Sequence, residues 1–450
     1  MSPLPVRVVG GGMTGLVLAL RLAQRGFRVV VHERNPYLGG LGSEARLGGV
    51  PVERFYHCIL PSDDALLRLL AELGVDRAVG WNRTETGFFA DGRLLPMTTT
   101  RDLLRFPALR RSDRLRLAWT VARCGLVRDW RRLEREPVGP FLRRHGGRRL
   151  FEAIWEPLLL SKLGPRYDRF AASFIWATIH RLLAARKAPG RQEQLGFLRG
   201  RYGQVFAALR RELEARGGRV LAPSTVEGLE RSETPRGARW CVRADGEEHP
   251  AASVVLCVPA PVAAEWLAEP LPQTAASLRA VDYLGVISEV LLLRRALTPY
   301  YVLNLADRAL PFTGVIEMSN LAGREEFGGR AVVYLPRYRE QRSSLWMRGD
   351  ALVHEENLAG LRRMVPDLEP EDVLAWQVQR ERHVQPVHPV GGRAVPPTWL
   401  DSGLAYVSTA QIHPWPVFHD ETIRNVEARL RDVVAAIREA PLPALAPAHP

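Results

Sequence analysis

The chain has 450 residues, 46% of them hydrophobic and 25% charged, with a formal net charge of +13. That length and apolar content permit two or three domain-sized units with sizeable cores, and exclude a small binding module or a wholly disordered chain. The positive charge is almost all arginine, Lys162 and Lys187 being the only lysines, and no zinc-finger, RNP-type or helix-turn-helix pattern accompanies it, so no nucleic-acid partner is expected.

Residues 6–15 read VRVVGGGMTG, a β-branched run that stops at Gly10, Gly12 and Gly15 and passes directly into LVLALRLAQRG, which has helical apolar spacing. Three such glycines serve a tight strand-to-helix turn, close backbone approach to a pyrophosphate and close helix-on-strand packing, while the helix start offers free N–H groups to phosphate oxygens. A second strand-like run, Phe27 to His32, leads to Glu33, near the roughly 20-residue interval beyond the last glycine at which an acid meets ribose hydroxyls. Arg34 follows, then Gly39-Gly40. A nicotinamide domain has no need of that glycine pair, whereas the longer FAD molecule needs the chain to double back beneath its diphosphate, where a side chain would clash. FAD is the expected cofactor and NAD the alternative.

Ser62 to Gly74 begins with N-cap chemistry and carries leucines at helical spacing, which predicts an amphipathic helix. Asp91-Gly92, between two short apolar runs, predicts a hairpin, as does Asp245-Gly246 further on. From about Arg101 to Arg191 the pattern is helical and basic. Gly218 to Val226 and Ser253 to Val258 read as strands, the second apolar enough to be buried on both faces. GLAYVSTAQIH reads as another buried strand, followed by a Pro- and His-rich loop and a helix from Asp420 to Arg438. The nucleotide domain is thus entered three times, at 1–80, 196–264 and 396–440. Residues 81–195 and 265–395 make up a second, substrate-binding part, helical in its first half, and a Pro/Ala tail at 441–450 is expected to be disordered. Cys58, Cys124, Cys241 and Cys257 show neither disulfide nor metal-site spacing, so no metal is expected. No run approaches the roughly 20 apolar residues of a membrane span, and the nucleotide strand begins where a leader would lie, so the expected location is the cytoplasm.

VVGGGMTGLVLAL, HERNPYLGG and the late strand and helix together resemble the flavin superfamily of amine oxidases, protoporphyrinogen oxidases, phytoene-type desaturases and UDP-galactopyranose mutases. Within it, EPLLLSKLGPRYDRFAASF and RYGQVFAALRRELEARGGRVLAPSTVEGL are similar to protoporphyrinogen-oxidase segments. The resemblance implies an α/β fold: a discontinuous Rossmann-like FAD-binding domain, a mixed α+β substrate domain and a helical subdomain. It implies that the Val226 backbone meets the adenine, and that the N-terminal N–H groups of the last helix, at Thr422 and Ile423, face the flavin. The chain departs from the family where Leu41 follows the glycine pair in place of Arg or a small polar residue, where Phe55-Tyr56-His57 replaces a Gly-Pro, and where Thr409-Ala410-Gln411 replaces a late Gly-Asp. The mutases carry a His at the place of His57.

A flavin reaction needs a shaped pocket, one proton acceptor and charge tuning near the ring, so few residues need be catalytic. His57 is the candidate acid–base group, its position after the nucleotide unit and its accessible pKa pointing to a pH-dependent role; a hydrogen-bonded structural histidine is the other reading. Lys162, scarce by type, is the second catalytic candidate, with Pro157 expected to interrupt its helix. The cofactor-binding set is Gly10, Gly12, Gly15, Glu33, Arg34, Gly39, Gly40, Leu41, Val226, Thr422 and Ile423. The pocket candidates are Tyr56, Trp155, Tyr301, Glu317, Asn320 and His413, with 300–320 expected to be two strands whose polar face lines a cavity or meets solvent.

These readings converge on an FAD-dependent oxidoreductase with non-covalent FAD, acting on a CH–CH, CH–NH or CH–OH unit of an unidentified small molecule and passing electrons to oxygen, a quinone or another acceptor. A redox-neutral flavin mutase and a non-catalytic flavin-binding protein that docks on a membrane or partner are the alternatives. Finally, residues 112–132 place Leu115, Ala118, Trp119, Ala122 and Leu126 on one helical stripe flanked by Arg114, Arg116, Arg123 and Arg128. That stripe either packs on its own domain or lies peripherally on the inner face of an anionic membrane.

Overall fold

The structure, a computed structural model, describes residues 4–107, 109–187, 194–234 and 237–439. The expected tail at 441–450 lies outside the described residues. A six-stranded sheet has the order Trp399–Asp401, Leu404–Tyr406, Ser253–Leu256, Val6–Val9, Val29–His32, Arg219–Leu221. It is parallel except at the first, edge strand. Because side chains alternate across a strand, its residues divide between two cores. Val6, Val8, Val31, Val255 and Ala405 meet the helices Met13–Ala23, Asp64–Glu72, Gly203–Glu214 and His419–Arg438. Val9, Val254, Leu256, Leu404 and Tyr406 meet the helices Ala260–Trp266 and Pro272–Arg279 and the three-stranded sheet of residues 226–250. This is a doubly wound α/β unit.

The second sheet has seven strands in the order Val373–Pro386, Tyr283–Leu293, Ala331–Glu340, Gly314–Glu317, Val302–Leu305, Thr86–Ala90, Arg93–Pro96. All its pairs are antiparallel except Val302–Leu305 with Thr86–Ala90. Both Asp-Gly turns form as the dipeptides dictate: Asp91 and Gly92 have φ of 51° and 71°, Asp245 and Gly246 of 53° and 77°, the double left-handed geometry of a two-residue hairpin. A helical layer with Arg111–Leu126, Val138–Gly146 and Ala172–Lys187 buries Phe88 and Phe106 in its core.

Two local expectations change. Pro157 does not interrupt its helix: Arg148–Leu150 runs through a widened π turn, Phe151–Trp155, into Glu156–Leu163. A π turn skips one ladder bond, which accommodates the amide that proline lacks. The 112–132 helix ends at Leu126, Trp130–Arg135 forming a separate 3-10 turn, and it packs through Leu117, Thr120 and Cys124. The stripe of Leu115, Ala118, Trp119, Ala122 and Leu126 stays exposed.

The turn after the first strand rests on contacts that only glycine permits. Gly10 has φ +112°, and a Cβ on Gly15 would sit 1.8 Å from the Gly10 carbonyl oxygen. Gly15→Ala must push the first helix off the sheet, at a cost of about 3 kcal/mol. The apoprotein melting temperature should fall by several degrees in thermal denaturation; an unchanged value would contradict the packing role.

Candidate active site

The turn between Val9 and Met13 is locked before any ligand arrives. Glu33 is buried, its Oε2 accepting the Gly11 N–H (2.8 Å) and its Oε1 accepting the Asn35 N–H and side-chain Nδ2 (2.9 Å each). The Gly39 N–H donates to the Gly11 carbonyl (2.9 Å), and Gly12 and Gly39 pair as an isolated parallel bridge. A Cβ on Gly39 would strike the Phe206 ring at 2.4 Å, but one on Gly12 would meet nothing nearer than the Gly40 Cα at 3.8 Å, and one on Gly40 nothing nearer than the Gly12 Cα at 3.4 Å. Protein packing therefore does not demand glycine at position 12. The bare main chain at Gly12 and Gly40 forms a cradle that a side chain would fill, at the start of a helix whose first amides are free for an anion. These residues fit a diphosphate-bearing cofactor. Leu41 lies half-buried in the 3-10 turn Gly40–Gly42, Arg34 is exposed on the loop after the second strand, and Val226 opens the strand Val226–Thr234 in the core.

His57 lies next to this turn, in company that the sequence did not announce. Its ring stacks on His419 (4.5 Å between centroids, 19°) and meets Tyr202 edge-on at 5.5 Å. His57 Nδ1 lies 3.4 Å from Glu53 Oε2. His419 reaches back to the glycines: a Cβ on Gly42 would lie 3.0 Å from its Nε2, a buried nitrogen without a hydrogen-bond partner. Burial, and then the neighbouring His57, hold His419 well below the usual histidine range, so its imidazole is neutral.

Residues 54–58 are half-buried throughout, yet burial raises the Tyr56 phenol and the Cys58 thiol. Tyr56 Oη lies 3.3 Å from Tyr338 Oη, and the exposed Lys162, in the last turn of Glu156–Leu163, donates its Nζ to Tyr56 Oη at 3.3 Å. Tyr301 is buried in the same cluster as Tyr56 and Cys58. The helical layer, the seven-stranded sheet and the segment after the nucleotide unit thus each contribute a polar group here.

The N-termini of two helices are tied to each other and to the helical layer. Asp420 Oδ1 accepts the amides of Ala65 and Leu66 (2.7 and 2.9 Å), and Arg181 Nη2 donates to both oxygens of Asp63 (2.8 and 3.0 Å). Arg181 Nε lies 3.3 Å from Glu421, and its guanidinium covers the Phe418 ring at 3.6 Å. Thr422 is not a free donor: its N–H bonds the Phe418 carbonyl at 3.0 Å, and Ile423 is buried in the core inside the helix. The uncapped amides of this helix belong to its first turn, which starts at His419.

Three pocket candidates have structural duties. Glu317 is fully buried, and its two oxygens accept the amides of Leu297 and Thr298 (3.2 and 3.1 Å). Asn320 donates to the carbonyls of Thr298 and Tyr300 (2.8 and 2.9 Å). Both fix the 297–300 turn, so the polar alternation in this hairpin serves backbone groups and not a cavity wall. His413 bonds Glu134 through Nε2, faces His388 through Nδ1 and abuts Trp130, pinning its loop to the helical layer. Trp155, turned inward by the π turn, packs in the helical core. Among the described residues no group of His, Cys, Asp and Glu is arranged to hold a metal.

Residues 13–385 match the family of flavin containing amine oxidoreductases, and the chain belongs to it. A Mycobacterium tuberculosis protein provisionally named a flavin-containing monoamine oxidase is 40% identical over 70 residues, 16% of this chain and only 15% of that relative's length. An Exiguobacterium protein provisionally named a protoporphyrinogen oxidase has the same fold, with a TM-score of 0.73 at 17% identity, covering 96% of this chain and 99% of that one. Cyclohexylamine oxidase from Brevibacterium oxydans superposes with a TM-score of 0.69 at 14% identity, covering 97% and 99%. The protein is a flavin-dependent oxidoreductase.

Burial raises the Glu421 carboxyl to about 7 against the opposing pull of Arg181. Its unfolded value is about 4.3, so between these limits the folded state binds the extra proton and stability falls as pH rises, by about 1.4 kcal/mol per pH unit. Glu421→Gln should match wild type in stability at pH 4 and exceed it increasingly up to pH 7, read by denaturant titration. A constant difference across that window would contradict the assignment.

Proposed function

We propose that this protein holds FAD non-covalently in the Gly12–Gly40 cradle and oxidises a small molecule bound in the recess of Tyr56, Tyr338 and Lys162. The observation that carries the reading is the adjacency of the two features: His419 lies where a Cβ on Gly42, which ends the cradle turn, would be 3.0 Å from its ring, and His419 stacks on His57, which follows Tyr56 in the chain. The flavin, when bound, supplies hydride acceptance from a CH–CH, CH–NH or CH–OH unit. Glu33, already fixed by Gly11 and Asn35, is placed for ribose hydroxyls, and Gly12 and Gly40 for the diphosphate. Non-covalent attachment is supported by the four cysteines. Burial raises the thiols of Cys58, Cys241 and Cys257, and Cys124 to about 11, so each is a protonated, poor nucleophile.

His57 is the proton-handling group of this reading. With its Nδ1 hydrogen directed to Glu53, the ring keeps Nε2 as an acceptor. Lys162 presents a cation through Tyr56, and the Tyr56–Tyr338 pair supplies aromatic surface with two hydroxyls. A positive charge at the recess favours a neutral or acidic substrate over a small alkylammonium ion.

The test is acid precipitation of the purified yellow protein, followed by anaerobic mixing with hydride donors of the three classes. FAD should be released into the supernatant, one donor class should bleach the visible flavin band with net oxidation of the donor, and His57→Ala should slow that bleaching about 100-fold without loss of flavin. Flavin retained in the pellet, a nicotinamide nucleotide in the supernatant, or turnover only after prior reduction with no net oxidation would overturn the reading.

A further inference from the structure

The helix Arg111–Leu126 has two apolar faces. One packs on the neighbouring helices through Leu117, Thr120 and Cys124, and is fastened there by Trp176 Nε1 donating to the Val127 carbonyl and His180 Nε2 bonding the Cys124 carbonyl, both at 2.9 Å. The other consists of Leu115, Trp119, Ala122 and Leu126, spaced i, i+4, i+7 and i+11, which is one line along a helix. Leu115 is 73% exposed, Trp119 57% and Leu126 76%. Arg116 and Arg123 border that line on one side and Arg111 and Arg114 on the other. Between Arg105 and Arg128 the sequence has seven arginines and a single acid, Asp113. Asp113 is buried, accepts the Arg110 N–H and lies 3.5 Å from Arg149.

We propose that this face docks on an anionic phospholipid bilayer, with Leu115, Trp119 and Leu126 inserted at the headgroup boundary and the flanking arginines on lipid phosphates. A second copy of the chain fits the same surface poorly, because a two-fold interface sets like patches face to face and would bring the arginine rows together. Bulky side chains projecting from a convex helix suit a fluid partner that closes around them, and arginine's long stem reaches phosphates from beside an inserted apolar line. Among the described residues no helix is long and apolar enough to cross a membrane, so the contact is peripheral. The inference stands apart from the assignment of FAD and substrate.

The experiment is flotation of the flavin-loaded protein with vesicles of phosphatidylcholine alone and of phosphatidylcholine with phosphatidylglycerol, at low and high salt. Binding should appear with phosphatidylglycerol and weaken about tenfold or more without it or in high salt. A Trp119→Glu/Leu126→Glu double variant should lose about tenfold or more of that binding while keeping its flavin content and melting temperature. Arg116→Gln/Arg123→Gln should lower binding to the anionic vesicles only. A wild type that stays unbound, a double glutamate variant that floats equally well, or a wild-type dimer that the glutamates dissolve would each overturn the proposal.

Discussion

Everything in the nucleotide unit depends on how closely the first helix and the glycine turn approach the strands. Gly15 sits against the Gly10 carbonyl, Gly10 against the Cys257 carbonyl, and Gly39 against Phe206, with no room for a Cβ at any of them. These three contacts set the height of the turn over the sheet. Gly12 and Gly40 then remain as main chain with space beside them, which is a different condition: Gly40 is held by its left-handed φ of +56°, but the missing side chain of Gly12 is required by nothing in the protein itself. The same series of glycines therefore separates into residues that build the scaffold and residues that leave room on it.

The remainder of the site is an assembly of distant segments on that scaffold. His57 comes from the chain leaving the nucleotide unit, Tyr202 from the entry to a later helix, and His419 from the start of the last helix, and their rings pack together. Arg181 secures the arrangement from the helical layer by pairing with Asp63 and Glu421, two acids at the N-termini of helices that cover the sheet. A buried guanidinium is strongly destabilised if the carboxylate that accepts its hydrogen bonds is removed, and Asp63 holds that place, so this cluster couples the helical layer to the cofactor side. Lys162 approaches Tyr56 from that same layer.

The nucleotide strand, turn and helix were legible because each glycine has a steric reason that sequence spacing exposes, and the hairpins because Asp-Gly dictates its own backbone angles. Glu317 and Asn320 were misread as cavity lining since alternation locates a face without saying whether a cavity or a neighbouring turn's amides meet it. His419, Tyr202 and Arg181 were invisible for another reason: their significance is a meeting of segments far apart in the chain, and no local pattern encodes it. The free donors assigned to Thr422 and Ile423 were misplaced by a helix that begins at His419 and closes its first turn on the Phe418 carbonyl. In the Arg111–Leu126 helix the periodicity showed one apolar stripe, but the second face, with a threonine and a cysteine among its residues, is the one that packs.

The central claim is that the space beside Gly12 belongs to the cofactor. Gly12 has φ −78° and ψ −176°, an extended conformation open to any residue, so a side chain there brings no backbone strain. Gly12→Ala should leave the apoprotein melting close to wild type, since the added Cβ has 3.8 Å of clearance from the protein, while flavin content after purification and reconstitution falls below about a tenth of wild type. A Gly12→Ala protein that retains stoichiometric flavin would contradict the account, whatever its activity.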